Sequence, residues 1–348
     1  MDVAKKMAQK RPRSLTLRKA ISMKAVLCRR AGPPETLELA DLPDPVPGKG
    51  EVVVDVAAAA LNFFDTLIIA GKYQYKPEFP FSPAAEFSGT VSTLGPGVSG
   101  FKVGDKVCGY SGFGAAREKL AISTERLVLM PPELDFDRAA GLFVTYGTTI
   151  HALQDRAKIK PGETLAVLGA AGGTGLAAIE LGKIFGARVI ACASSPDKLE
   201  FCRKHGADEV IDYAKEDLKE RLRELTGGKG ADVVYDPVGG SYAEAALRST
   251  AWQGRFLVVG FAAGEIPKIP LNLVLLKGCE IVGVFWGEFI RRHPERLRAQ
   301  IKDLLQWVHE GRLSAHVDAI YPFERAVEAF AAIGARKVKG KVLLKPKV

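Results

Sequence analysis

The apolar residues of this 348-residue chain follow two periods, and the change of period divides it. Up to about residue 130 they gather in strand-length runs punctuated by glycine and proline. Met23–Cys28, Thr36–Ala40, Glu51–Ala60, Phe87–Leu94, Gly104–Gly109 and Ala115–Ile122 read as strands. The loop Pro43–Gly50 is too proline-rich for regular structure, Asn62–Ile69 reads as a short helix or turn, and Gly71–Tyr73 breaks the pattern. Such a β-rich, glycine-punctuated stretch predicts an open barrel.

From Arg138 the period lengthens, and Ala139–Gln154 is an apolar helical stretch. Strand and helix then alternate. Thr164–Leu168, Arg188–Ala193, Glu209–Ile211, Ala231–Tyr235, Gly254–Gly260 and Glu280–Phe285 read as strands. Between them Leu176–Phe185, Pro196–His205, Glu216–Thr226 and Tyr242–Leu247 read as helices. That alternation predicts a parallel, doubly wound sheet. Pro294–Glu310 follows as an amphipathic helix with Leu297, Ile301, Leu304, Leu305 and Val308 on one face, then a helix Glu324–Ile333 and a strand Lys341–Leu344. The organisation expected is α/β: residues 23–145 and 290–348 form a β-rich domain, residues 146–289 a dinucleotide-binding domain, with a substrate cleft between them.

Chemistry concentrates between Glu163 and Ser195, where strand, glycine-rich turn Gly169–Gly175, helix and strand succeed one another in about thirty residues. Read as G-x-G-x-x-G, the turn has Ala170 at the first glycine, with Gly172 and Gly175 in place. Gly172 lets the backbone approach a pyrophosphate, and Gly175 lets the helix pack closely on the strand. The free N–H groups at the helix start and the helix dipole then face the phosphates. An NAD-preferring unit places an acid at the end of its second strand. Here that position reads Ala193, Ser194, Ser195, with Lys198 just beyond, so hydroxyls and a lysine would receive a 2′-phosphate. Asp197, at a helix start, serves that helix's N-terminus. The cofactor expected is NADPH.

Composition narrows the field further. At 47% hydrophobic and 26% charged residues the chain is ordinary for a globular protein, and it contains no uninterrupted apolar run of membrane-spanning length. The net charge of +9 is concentrated in residues 1–22, where seven Lys and Arg face Asp2 alone. The body therefore lacks the charge and the basic–aromatic stripe of a nucleic-acid binder. The basic segment lacks core patterning and reads as a disordered tail, either an organelle transit peptide or an upstream extension. The five cysteines are scattered without a C-x-x-C, which argues for a reducing compartment and against a zinc knuckle. The localisation expected is cytoplasmic, or mitochondrial if the tail is a transit peptide.

From Met23 to about Leu344 the chain resembles the zinc-free quinone oxidoreductase branch of the medium-chain dehydrogenases/reductases. The resemblance is carried by Leu61–Asp65, Phe87–Gly89, Gly104–Val107, Thr145–Thr148, Ala170–Ala178, Gly206–Asp208 and Tyr235–Gly240. Trp252–Arg255, Gly260–Gly264 and Phe285–Gly287 look most like one subgroup of it. The resemblance implies a GroES-like barrel joined to a Rossmann domain. It implies that Gly172, Gly173, Thr174 and Gly175 cradle the pyrophosphate, and that Ser194, Lys198 and Tyr213 surround the 2′-phosphate. It further implies that Gly239, Gly260 and Phe261 run along ribose and nicotinamide, and that Thr145, Phe285 and Trp286 lie near the nicotinamide. A homodimer formed through the edge strand Glu280–Phe285 is implied as well.

Zinc-dependent relatives carry a cysteine after the strand ending near Ala60, a histidine further along and a four-cysteine lobe. This chain has Asn62 and Asp65 in the first region, no histidine before His151, and no cysteine between Cys28 and Cys108. No zinc is expected. Glu86, at an acidic position linked to metal in the zinc branch, is expected to make an ion pair or hydrogen bond under the cleft, and His151 to pack in a core. Without a Lewis acid the chemistry expected is hydride delivery to an acceptor already electron-poor, a quinone or an alkene conjugated to a carbonyl. Asn62 and Tyr73 match polar positions lining the family's substrate cleft, and one of them is expected to hydrogen-bond the acceptor oxygen. The chain departs from the family at Leu67, where several members have tyrosine, and at Ala84, where glycine is usual. Two other readings remain open. One is an enoyl-thioester reductase with Arg291 and Arg292 at the rim for CoA; the other is an NADPH-binding protein without turnover, in a structural or RNA-binding role.

Overall fold

The computed structural model of the protein describes residues 22–347. The basic segment read at residues 1–22 lies outside them, except for Ser22, which opens the first strand. The β-rich part contains β1 (Ser22–Cys28), β2 (Leu37–Pro43), β3 (Glu51–Leu61), α1 (Phe63–Ile69), β4 (Glu86–Leu94), β5 (Lys106–Tyr110), β6 (Lys119–Ser123) and β7 (Leu127–Leu129). α2 (Phe136–Ala140) and α3 (Gly147–Ile150) lead out of it. The alternating part contains β8 (Thr164–Leu168), α4 (Gly173–Ile184), β9 (Arg188–Ala193), α5 (Pro196–Lys204), β10 (Glu209–Asp212), α6 (Leu218–Leu225), β11 (Ala231–Asp236), α7 (Tyr242–Arg248), β12 (Thr250–Val258), α8 (Asn272–Lys277) and β13 (Glu280–Gly283). α9 (Trp286–Arg292), α10 (Pro294–His309), β14 (Val317–Pro322), α11 (Ala326–Gly334) and β15 (Lys341–Lys345) complete the chain.

Strand pairing sorts these into a parallel sheet in the order β10-β9-β8-β11-β12-β13 and a barrel sheet in the order β14-β15-β3-β4-β5-β7, with β6 also on β3. β1 and β2 pair with each other. The parallel sheet is apolar on both faces: Leu165 and Val167 join the core beneath α4 and α10, while Ala166 and Leu168 join the core beneath α6 and α7. The barrel encloses its own core of Val52, Val54, Phe87, Val107 and Phe330. β15 returns from the end of the chain to pair antiparallel with β3, so the final segment closes the first sheet. Among the described residues no helix is long and apolar enough to cross a membrane.

Several boundaries differ from the sequence reading. Ala139–Gln154 is not one α-helix: Leu142–Tyr146 and His151–Arg156 are π-helical around α3. Side chains intrude on its ladder, with Thr145 Oγ1 donating to Gly141 O at 2.9 Å and the Val144 N–H donating to Glu86 Oε2 at 2.8 Å. The strand read at Glu280–Phe285 ends at Gly283, because Phe285 lies just before α9. The strand read to Gly260 ends at Val258. β7, β14, α8 and α9 had no periodic signal strong enough to read: each is short, and α8 leaves Leu271, Leu275 and Leu276 in solvent. Ala84, where related sequences usually have glycine, sits at φ 67°, the left-handed region that glycine enters freely.

Candidate active site

The order of the parallel sheet reverses between β8 and β11, so their carboxyl ends open a crevice. The glycine turn after β8 lies there. Gly172 precedes α4 as its N-cap with no capping side chain, leaving first-turn N–H groups for an anion. A Cβ on Gly175 would stand 2.3 Å from Gly169 O and 2.6 Å from Ala170 Cα, so only glycine lets α4 approach β8 so closely. A Cβ on Gly173 would meet Thr145 Cγ2 at 2.9 Å, which places Thr145 directly against the turn, with Thr174 following in α4. After β11, Asp236 Oδ1 accepts the N–H groups of Val238 and Gly239 at 2.8 and 2.9 Å and orders the second turn. Gly239, at φ 67°, lies against the Phe261 ring, and Gly260 packs on Pro237.

The end of β9 is cationic. Ser194 is exposed, and the Lys198 ammonium donates to Arg336 O at 2.9 Å. Arg336, between α11 and β15, donates to Ala262 O at 2.6 Å, and its charge acts on the Tyr213 phenol, which itself lies 4.3 Å, ring to ring, from Tyr242. Lys339 approaches Asp197 at 3.7 Å. Asp197 lies in the first turn of α5, where the Ser195 hydroxyl donates to it. Lys198 and Tyr213 were read from the sequence. Arg336 was not, since an arginine in a polar loop well over a hundred residues away carries no local signal.

At the other end of the crevice the barrel sheet contributes a buried polar row. Glu86 is wholly buried and Lys341 is 4% exposed. The Lys341 ammonium donates to Glu86 Oε1 at 2.7 Å, Asn62 Oδ1 at 2.7 Å and Leu61 O at 3.0 Å. Asn62 Nδ2 donates to Glu86 Oε1 at 2.9 Å, so the amide is fixed from both ends with one N–H to spare. Every charge here has hydrogen-bonded partners, the condition under which a buried ion pair is tolerated. The ion pair read for Glu86 is therefore present; its partner Lys341 read only as part of the last strand.

Asp65, also buried, accepts the Asn62 N–H at 2.8 Å as α1 begins. Burial pushes its carboxyl up to about 7, opposed by that N–H and by Lys341 and aided by Glu86. Tyr73 is half-buried and stacks on Phe64 at 5.5 Å. Its phenol is raised by burial, with Gln74 opposing and Asp65 adding. Trp286 is buried with Nε1 against Gly147 and its ring edge-on to Tyr110 at 5.0 Å, whereas Phe285 is 62% exposed. His151 packs as read, bonded to Asp155 at 2.9 Å and stacked on Phe289 at 3.9 Å. Arg291 and Arg292 both pair with Glu288 on their own helix. Among the described residues no group of three or more His, Cys, Asp or Glu is placed to hold a metal ion.

Residues 48–132 match the family described as alcohol dehydrogenase GroES-like domain, and residues 173–310 that described as zinc-binding dehydrogenase. The quinone oxidoreductase-like protein 2 of Rattus norvegicus is 39% identical over 322 residues, 92% of this chain and 91% of the relative. A quinone oxidoreductase of Pseudomonas aeruginosa is 34% identical over 316 residues, 90% of this chain and 97% of the relative. Among solved structures, the Escherichia coli quinone oxidoreductase complexed with NADPH superposes with a TM-score of 0.86 at 30% identity, covering 93% of this chain and 100% of that one.

Proposed function

The chain belongs to the quinone oxidoreductase family of the medium-chain dehydrogenase/reductase superfamily, and on that premise we propose that it is an NADPH-dependent, zinc-independent reductase of quinones or of alkenes conjugated to a carbonyl. One observation carries the reading: an uncapped glycine turn at the sheet's switch point opens onto the same crevice as the row Lys341, Asn62, Glu86. Gly172–Gly175 would hold the pyrophosphate. Ser194, Lys198, Tyr213 and Arg336 would hold the adenosine end, where no carboxylate ends β9 to repel a 2′-phosphate. Gly239, Gly260, Phe261, Thr145 and Trp286 would line the path between, with Phe285 at its rim. When bound, NADPH supplies the hydride; the residues of this chain bind, orient and exclude water.

The acceptor end suits a flat, electron-poor molecule. The rings of Phe64, Tyr73, Tyr110 and Trp286 give it apolar walls. Asn62, locked by Lys341 and Glu86, presents its remaining N–H as a fixed donor, which needs no reorganisation as negative charge develops on the acceptor oxygen. Asn62 and Asp65 replace metal-binding donors, so polarisation falls to hydrogen bonds. An enoyl-CoA substrate is less well served, because Arg291 and Arg292 are both engaged with Glu288. We also assign the unpaired edge of β13 to a homodimer contact.

The test is NADPH oxidation by the full chain against quinones, simple enones and enoyl-CoA esters. Turnover with the first two classes is expected. Turnover with CoA esters alone would replace this reading by the thioester reductase, and NADPH binding without any turnover would leave a binding protein.

A further inference from the structure

Four adjacent strands, β15, β3, β4 and β5, bring one residue each, or the residue just past the strand's end, to the same face of the barrel sheet. Ala60 pairs with both Leu343 and Glu86, which puts Lys341 and Asn62, each two residues from a member of that pair, on the Glu86 face. Glu86 in turn is the direct cross-strand partner of Tyr110 at the end of β5. The polar row therefore has a fourth member, and its ring packs against Trp286 rather than in the barrel core.

From this placement we infer that Tyr110 is the second hydrogen-bond donor to the acceptor oxygen, facing Asn62 across the substrate position; the inference rests on the reductase reading above. Three observations converge. The ring is set in place by its edge-on contact with Trp286 at 5.0 Å, beside the segment that carries Thr145. Its hydroxyl makes no hydrogen bond among the described residues, and besides the spare Asn62 N–H the cluster's other groups, the Asp65 carboxyl and the Lys341 ammonium, are engaged within it. The residue is half-buried, with its ring among the packed side chains around Trp286 and its hydroxyl near Gly112 in the loop after β5. Burial and the neighbouring Asp65, Tyr73 and Glu86 all disfavour a phenolate, which keeps the hydroxyl a donor across the working pH range.

The step balances without a further reagent. The acceptor takes a hydride at its electron-poor carbon, the conjugated π pair moves onto its oxygen, and the Tyr110 O–H donates to that oxygen. The proton that reaches that oxygen passes from solvent through the same hydroxyl, which ends as it began. With an enone this gives the enol, which takes its carbon-bound proton from water as it goes over to the saturated ketone. A donor of this kind matters most for acceptors that hold negative charge poorly, so enones depend on it more than quinones do.

Tyr110→Phe keeps the ring on Trp286 and removes only the hydroxyl. Its kcat with a simple enone should fall about 10- to 100-fold, and with a quinone several-fold less than that. NADPH affinity, read by cofactor fluorescence, should be unchanged. Binding of 4-nitrophenolate to the NADP⁺-loaded protein, followed by the probe's absorbance, should weaken about ten-fold. Wild-type kcat with the enone in this variant overturns the assignment. If the wild-type protein reduces neither class the reductase reading fails instead, and the nitrophenolate measurement alone decides for Tyr110: equal affinity in the two proteins overturns it.

Discussion

On the proposed reading, cofactor preference would rest on two cations contributed by distant parts of the chain. Lys198 lies in the first turn of the helix after β9, and Arg336 arrives from the loop before β15, its carbonyl held by the Lys198 ammonium. A 2′-phosphate between them would gain charge-assisted hydrogen bonds that NADH has no group to make. Lys198→Ala and Arg336→Ala should each weaken NADPH about ten-fold while changing NADH less than about three-fold, as read by fluorescence titration. Equal weakening of both cofactors would remove the phosphate role. Lys198 was legible in the sequence because it follows a strand–helix junction at a known distance from the glycines. Arg336 and Lys341 were not, because their partners are set by the return of β15 to β3 rather than by neighbours along the chain. The same holds for Asn62. The sequence marks its position only as polar, and the fold shows its amide held by Lys341 on one side and Glu86 on the other.

At the scale of the element, the glycine turn separates two jobs that a motif merges. Gly175 is demanded by packing, since a Cβ there would stand 2.3 Å from backbone. Gly172 has φ −75° and its nearest neighbour would be 3.4 Å from a Cβ, so the fold tolerates alanine, and in the proposed role the demand would come from the ligand. Gly175→Ala should therefore cost about 3 kcal/mol of stability and lower Tm by several degrees. Gly172→Ala should melt near the wild type yet bind NADPH more weakly. If both variants lost stability alike in thermal denaturation, the division of roles would be wrong. β3, β8, α4 and α10 were legible from their apolar runs and their flanking glycines, and in α10 from burial that repeats along one face. The π-helical turns around α3 were not, since the intruding groups, Glu86 above all, come from the barrel. α8 also escaped because Leu275 and Leu276 face outward, against the periodic rule, while only Leu273 is buried.

Those outward-facing residues belong to a property of the whole molecule. Trp252, Leu275 and Leu276 are 70–80% exposed, and Ile281 lies on β13, whose outer edge pairs with no described strand. An unprotected edge beside apolar side chains is the surface that a second copy would cover. Ile281→Lys should convert a dimer to a monomer in light scattering while leaving NADPH affinity within about two-fold. A wild-type protein that is monomeric at micromolar concentration would end this reading. In the proposed site the two halves would meet: the parallel sheet would supply the turn for the cofactor, and the barrel sheet the row Lys341, Asn62, Glu86 and Tyr110. What the sequence determined by itself was whatever is local: the alternation of strand and helix, the glycine turn, the missing acid after β9 and the missing metal donors. Each depends on side chains a few residues apart. The tertiary structure alone decided which lysine neutralises Glu86, which residue's carbonyl the Lys198 ammonium meets and which tyrosine pairs across the sheet with Glu86. Those pairings depend on sheet register between strands up to 280 residues apart, and register is settled by packing rather than by proximity in the chain.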